Sequence, residues 1–309
     1  MVNKVVDFYS IKTFIKIFSL VLFYLLFSYF LIGFKTDQLF LSGLFVVAYF
    51  SSVVSRKFII GFSIFIVYWI LFDYMKAFPN YAYNQVHISA LYNAEKMLFG
   101  IHQKNIILTP NEFWLTRTTN YLDIFSGIFY LCWIPVPLAF ATWLFFNDKT
   151  IFLQFAIGFV LVNMIGFVIY YIYPAAPPWY IQKFGSEFIA DTKGNTAGLQ
   201  RFDDYFKVSI FQSLYAKSSN VFAAMPSLHS SYPVIVLYYG IKKKLGLVNV
   251  VFILVMLGIW FAAVYTSHHY LLDVLAGVTC AIITLFVFQK WILKNALVKR
   301  FMDFYLAKI

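Results

Sequence analysis

The chain has 309 residues, of which 62% are hydrophobic, 22% aromatic and only 12% charged, with a formal net charge of +11. No fold of this size has enough interior to hide that much apolar surface, so a water-soluble globule is excluded and an integral membrane protein is implied. Cys132 and Cys280 both fall inside apolar runs, which argues against a disulfide framework and against a zinc site.

Crossing a hydrocarbon core about 30 Å thick takes about 20 apolar residues, with about 17 tolerated. Eight segments approach that length: residues 17–34, 39–54, 58–72, 122–146, 151–173, 226–241, 247–266 and 269–292. The first runs too long for a signal-peptide core and lacks a small-residue cleavage pattern, so it reads as a retained anchor. The second and third are short and form a tight hairpin around Ser55-Arg56-Lys57. Two long outer segments, 73–121 and 174–225, carry Trp114, Trp179 and many Phe and Tyr residues, a composition suited to a folded cap in the membrane interface. No repeat, low-complexity tract or linker interrupts the pattern. The expected fold is an all-α polytopic membrane helix bundle of about eight transmembrane helices with a six-helix catalytic core and interfacial helices in the outer loops. It forms a single membrane domain over 1–309, with N-terminal helices in 1–72, an outer interfacial segment in 73–121, and the core in 122–293 with its outer loop 174–225.

Charge gives the expected orientation. With the amino terminus inside and eight passes, the inner segments hold fourteen basic residues, among them Lys4, Arg56, Lys57 and Lys242 to Lys244, against Asp7, Asp148 and Asp303. That difference equals the whole net charge of +11, as the positive-inside rule requires. Both termini are therefore expected in the cytoplasm. The basic balance reports topology and attraction to anionic lipid, and the lysines form no groove-sized stripe, so no nucleic acid is expected as a partner.

In this arrangement His229, in Pro226-Ser227-Leu228-His229, and His269, in His268-His269-Tyr270-Leu271-Leu272-Asp273, reach the outer surface at similar depth. His269 and Asp273 are four residues apart, which stacks them on one helical face with the carboxylate able to fix the imidazole tautomer. Pro226 suits the first helical position, and the helix start beyond it favours a phosphate. Ionisable groups at membrane depth are costly and so are functional candidates. A lone histidine at a helix mouth is more often interfacial, but two on one face with a supporting carboxylate point to phosphoryl chemistry. His268 points elsewhere and reads as a supporting or interfacial residue; His87 and His102 read as surface residues. Asn93 and Glu95 suit either a polar headgroup or a capping role, and Arg201, Asp203 and Asp204 fit a solvated loop face as well as a site.

Four ordered strings then become diagnostic: Tyr173-Pro174-Ala175-Ala176-Pro177-Pro178-Trp179-Tyr180, Gly194-Asn195-Thr196-Ala197-Gly198-Leu199-Gln200-Arg201, Pro226-Ser227-Leu228-His229-Ser230, and His268-His269-Tyr270 followed by Asp273. Through them the chain resembles the type-2 phosphatidic acid phosphatase superfamily, and within it the inositol phosphorylceramide synthase (sphingolipid synthase) branch. The resemblance implies His269 as nucleophile, Asp273 as its support and His229 as the acid and base. It also implies a site on the periplasmic or lumenal side, and neither metal nor cofactor. Arg201, Ser227, Asn195, Trp179 and Tyr270 are the substrate-binding candidates within the same strings.

Departures from the phosphatase pattern sharpen the expectation. The chain has no Arg-Pro pair, Ala263 stands where an arginine would precede the nucleophile by six residues, and Leu228 replaces the glycine before His229. A phosphate monoester carries close to two charges and wants more cations than a diester, so the substrate expected is a diester. The expected activity is a membrane phosphotransferase moving a phosphoinositol headgroup from a phospholipid donor to a ceramide-like lipid alcohol through a phosphohistidine. The alternatives are a lipid phosphate or pyrophosphate phosphatase using water, and a noncatalytic lipid-binding or transport protein. Fungal members of the branch are longer and work with an accessory subunit; none is evident here.

Overall fold

The computed structural model describes residues 9–217 and 220–309. Lys4 and Asp7, which enter the charge count, lie outside them. The chain is almost entirely helical and divides into two units, residues 1–78 with 300–309, and residues 79–299.

The first unit holds α1 (Ile11–Ile32), α2 (Thr36–Ser51) and α3 (Val53–Tyr74). Ser10 caps α1 by accepting from Thr13 N at 3.3 Å, and Gly33 ends it with φ of +77°, a value that suits glycine. The α2–α3 turn is a single residue. Ser52 ends α2 and caps α3, accepting from Ser55 N at 3.0 Å. The hairpin therefore turns at Ser52, and Ser55, Arg56 and Lys57 belong to the first turns of α3. Ile17, Tyr49 and Ile59 form the small core, while residues such as Phe30, 82% exposed, face outward. An outward apolar face is what a lipid-facing helix needs. The Tyr305 hydroxyl bonds to Ser63 Oγ at 2.9 Å, tying the C-terminal residues to α3.

In the second unit the outer segments are folded, as their aromatic content suggests. The first contains α4 (Ser89–Phe99), a two-stranded antiparallel hairpin of β1 (Ile101–Gln103) and β2 (Ile106–Leu108), and α5 (Pro110–Leu115). The bundle follows with α6 (Asn120–Leu131), α7 (Pro135–Asn147) and α8 (Lys149–Ile172). The second outer segment contributes α9 (Pro178–Phe184), α10 (Gln200–Phe206) and α11 (Ile210–Ala216). The bundle closes with α12 (Leu228–Lys242), α13 (Val248–Tyr265) and α14 (Leu271–Lys290). The outer segments are laced together by parallel bridges joining His87 to Ala175 and Ala175 to Ala223. Asn80 adds two bonds, from Nδ2 to the carbonyls of Tyr170 and Phe222 at 2.8 and 2.9 Å.

Helix α12 packs on α8, α13 and α14, so the helix carrying His229 is enclosed by the others. Inside, Tyr232 donates to Asn163 Oδ1 at 2.6 Å, satisfying two buried polar groups with each other.

Among the described residues six helices are long and apolar enough to span a bilayer: Ile11–Ile32, Val53–Ala77, Asn120–Asn147, Lys149–Ile172, Val248–Tyr265 and Leu271–Lys294. The chain is an integral membrane protein. The remaining two of the eight apolar segments are α2, with 16 residues, and α12, with 15. Segment 122–146 is broken into α6 and α7 at residues 132–134, where Pro135 and Pro137 lack the amide hydrogens that a continuous helix would use.

Candidate active site

The N-terminus of α12 and the α13–α14 turn are bolted together. Ser227 caps α12, and its own amide donates to the Asp273 carbonyl at 2.9 Å. One turn on, Ser231 Oγ donates to the Gly277 carbonyl at 2.7 Å. A Cβ at position 277 would overlap the Ser227 carbonyl, so glycine is what lets α12 and α14 approach this closely. Helix α12 starts at Leu228 with Ser227 as cap, which puts Pro226 outside it rather than at its first position. Tyr170 on α8 donates to the Pro226 carbonyl at 3.0 Å and fixes that entry.

The two C-terminal histidines sit in the tight turn after α13. Ser267 adopts φ of +60°, and the amides of His268 and His269 both bond to the Ala263 carbonyl, at 3.1 and 3.0 Å. Tyr270 is the cap of α14, so His269 precedes the helix instead of lying on its face. Its relation to Asp273 is made through the cap: Asp273 Oδ2 accepts from Tyr270 N at 2.8 Å and lies 3.5 Å from His269 Nδ1. That distance is ion-pair range, longer than a formed hydrogen bond. Catalytic hydrogen bonds are commonly long before substrate binds and tighten in the complex.

The opposite ring nitrogen, His269 Nε2, is 3.4 Å from His229 Nδ1. Both imidazoles therefore open at one end of the bundle and meet there. Trp133 stands edge-on to His229 with centroids 4.3 Å apart, and Tyr130 Oη lies 3.3 Å from His229 Nδ1. His268 is 4% exposed, bonds through Nδ1 to Thr266 Oγ1 at 3.0 Å and has Tyr215 at 4.5 Å between centroids. It supports the turn from inside.

The turn is also held from the first outer segment. Asn111, buried in α5, donates through Nδ2 to the carbonyls of Val264 and His269 at 2.8 and 2.9 Å. Glu95, buried in α4, accepts from the amides of Leu271 and Leu272 at 2.9 and 3.1 Å. Those are first-turn donors of α14 with no partner inside the helix, and a carboxylate there suits the helix dipole. Burial pushes the Glu95 carboxyl up from its ordinary value, against the pull of those two amides. Capping is thus the role Glu95 plays.

The substrate-binding candidates fall into two groups. Ser227 caps α12, Tyr270 is buried with Leu91 and Ala175, and Trp179 packs with Ile88, Tyr180 and Phe222 while its amide bonds to the Ser267 carbonyl at 3.0 Å. These three hold the scaffold around the histidines through a cap and packing. Asn195 turns its Oδ1 back to Ala197 N at 2.7 Å, and its backbone meets His268. Arg201 Nε pairs with Asp123 Oδ1 at 2.6 Å, and Tyr265 donates to the same oxygen at 2.8 Å. Gly198, whose amide bonds to the Thr266 carbonyl at 2.9 Å, brings this pair beside the histidine turn. Asp203 is no solvated loop residue: it is 1% exposed and accepts from the amides of Phe211 and Gln212 at the start of α11.

Tyr130, Trp133, Asn111 and Asp123 had no signal in the sequence. Each lies in an apolar or loop stretch with nothing local to distinguish it, and becomes notable only through a distant partner.

A family model described as the PAP2 superfamily matches residues 89–287. Over 276 residues the chain is 42% identical to a phosphoinositol dihydroceramide synthase of Bacteroides thetaiotaomicron, covering 89% of this chain and 90% of that protein. It is 28% identical to an inositol phosphorylceramide synthase of Candida albicans, over 67% of this chain and 42% of that protein. It is 27% identical to the inositol phosphorylceramide synthase catalytic subunit AUR1 of Saccharomyces cerevisiae, over 69% of this chain and 51% of that protein. The chain thus spans about half the length of these fungal proteins. No solved structure shows significant similarity to it.

Proposed function

The chain belongs to the PAP2 superfamily, and on that premise we propose that it is a lipid phosphotransferase, moving phosphoinositol from a glycerophospholipid to the primary hydroxyl of a ceramide-like lipid. The observation that carries the chemistry is the approach of His269 Nε2 to His229 Nδ1 at 3.4 Å, with Asp273 behind the first ring.

In the first half-reaction the lone pair of His269 Nε2 attacks phosphorus, the bond from phosphorus to the diacylglycerol oxygen breaks, and His229 gives that oxygen its proton. Asp273 offsets the charge left on the His269 ring. In the second half, neutral His229 takes the proton of the acceptor hydroxyl, whose oxygen attacks phosphorus and breaks the phosphorus–nitrogen bond. Protons and charge return to their starting places. Catalysis in such transfers is chiefly positioning and charge stabilisation. The Trp179 cluster, with Tyr180 and Phe222, supplies the dry wall that favours a lipid alcohol over water as acceptor.

The proposal includes the topology: eight passes, both termini cytoplasmic, and the site at the periplasmic or lumenal face, with the chain acting without an accessory subunit. The charge asymmetry supports this orientation. The deciding assay gives purified protein radiolabelled phosphatidylinositol and ceramide. Labelled inositol phosphorylceramide with release of diacylglycerol is expected; labelled inositol phosphate as the sole product would refute transfer in favour of hydrolysis.

A further inference from the structure

We infer that Tyr130 joins His269, His229 and Asp273 as a fourth catalytic residue, whose hydroxyl donates a hydrogen bond to a nonbridging oxygen of the transferring phosphodiester, with Tyr215 aligning it from behind. The inference rests on the transferase reading of the same site and adds a neutral donor for the phosphoryl oxygens.

The sequence carries no arginine at the positions that serve the phosphatases, and Arg201, beside the histidine turn, is held by a carboxylate. Arg201 pairs through Nε with Asp123, which also receives the Tyr265 hydroxyl, so its charge is met by a carboxylate while its buried Nη2 has no partner among the described residues. Tyr130 is placed differently. Its side chain is 1% exposed, and its oxygen sits 3.3 Å from His229 Nδ1, the nitrogen that also lies 3.4 Å from His269 Nε2. A phosphodiester that opens the His229–His269 contact to reach His269 Nε2 comes beside the Tyr130 hydroxyl, with a nonbridging oxygen within its reach.

The direction of the bond follows from the neighbour behind it. Tyr215 donates to Tyr130 Oη at 3.4 Å, so the Tyr130 oxygen acts as acceptor there and its own proton remains to be given forward. When His229 carries the proton destined for the leaving group, it does not accept from Tyr130. The phosphoryl oxygen is then the acceptor within reach. A phenol also fits the substrate class. A phosphodiester has one negative charge to meet, and a neutral donor in a dry site stabilises its transition state without the cations a monoester dianion demands. Tyr130 and Tyr215 thus favour diester donors over phosphatidic acid by their chemistry.

The experiment measures diacylglycerol release by purified Tyr130→Phe, Tyr215→Phe and wild-type protein, using phosphatidylinositol and its two phosphorothioate diastereomers at phosphorus. Sulfur accepts hydrogen bonds poorly, so wild type should turn over one diastereomer much more slowly. For Tyr130→Phe, kcat on the oxygen donor should fall about 100-fold, as expected when one oxyanion donor is removed, with KM little changed. The variant should also lose most of the discrimination between diastereomers, and Tyr215→Phe should show the same pattern more weakly. A Tyr130→Phe protein with wild-type kcat, or one slowed while its diastereomer preference is intact, overturns the assignment. The second result would leave Tyr130 as packing or as a support for His229 alone. Because both transfer and hydrolysis release diacylglycerol, failure of the transferase reading shows separately, as inositol phosphate in place of the sphingolipid.

Discussion

At the residue scale the site joins groups whose importance was readable and groups whose importance was not. His229, His269 and Asp273 announce themselves through short strings, because their caps and turn are built from neighbours in sequence. Tyr130 reaches His229 across 99 residues, and Glu95 reaches Leu271 across 176. Nothing within a local window marks such a contact. Asp273 has two duties on one oxygen, capping Tyr270 and facing His269, and they can be separated. In Asp273→Asn the amide oxygen can still cap, while the charge that supports the imidazolium is gone. The expected outcome is a loss of about 10³–10⁴-fold in kcat, with a thermal unfolding midpoint near that of wild type. For His269→Ala the loss of the nucleophile should be at least about 10⁴-fold, and acid-labile labelling of the protein by radiolabelled donor should vanish. A labelled His269→Ala protein would place the nucleophile elsewhere.

At the scale of elements, the site depends on how closely α12 and α14 meet and on what holds the turn before α14. Gly277→Ala places a methyl group against the Ser227 carbonyl and must push the two helix starts apart. Overpacking of this kind costs about 1–3 kcal/mol, and a shift of about 1 Å between reacting groups costs about 100-fold in rate. Activity should therefore fall much further than thermal stability; a Gly277→Ala enzyme with wild-type kcat would show that the close approach is not needed for chemistry. Glu95→Ala tests the clamp from α4. It leaves the amides of Leu271 and Leu272 without their acceptor, at about 1–3 kcal/mol for each buried donor, so a clearly lowered unfolding midpoint in detergent is expected together with reduced kcat. Helix identity was legible from apolar runs, but helix boundaries were not. The reason is local at Ser52, which caps α3 between Tyr49-Phe50 and Val53-Val54, so hydropathy runs past the true end.

At the scale of the whole molecule, composition alone separated membrane from soluble protein, and the break between α6 and α7 is what the apolar runs did not show. Pro135 explains it. The side of the membrane is a further question, and charge is the physical argument for it: Lys242 ends α12 and Lys243 and Lys244 follow it, while the opposite end carries His229. Lysines resist translocation, so the proposed orientation keeps the end with three of them in the cytoplasm and opens the histidines on the other side. Single cysteines at Glu187, exposed between α9 and α10, and at Lys244, exposed between α12 and α13, test this in a background lacking Cys132 and Cys280. A maleimide that cannot cross membranes should label the Glu187 site in intact spheroplasts and the Lys244 site only after permeabilisation. The reverse pattern would put the site in the cytoplasmic leaflet, where the donor and acceptor would have to be drawn from a different pool of lipid.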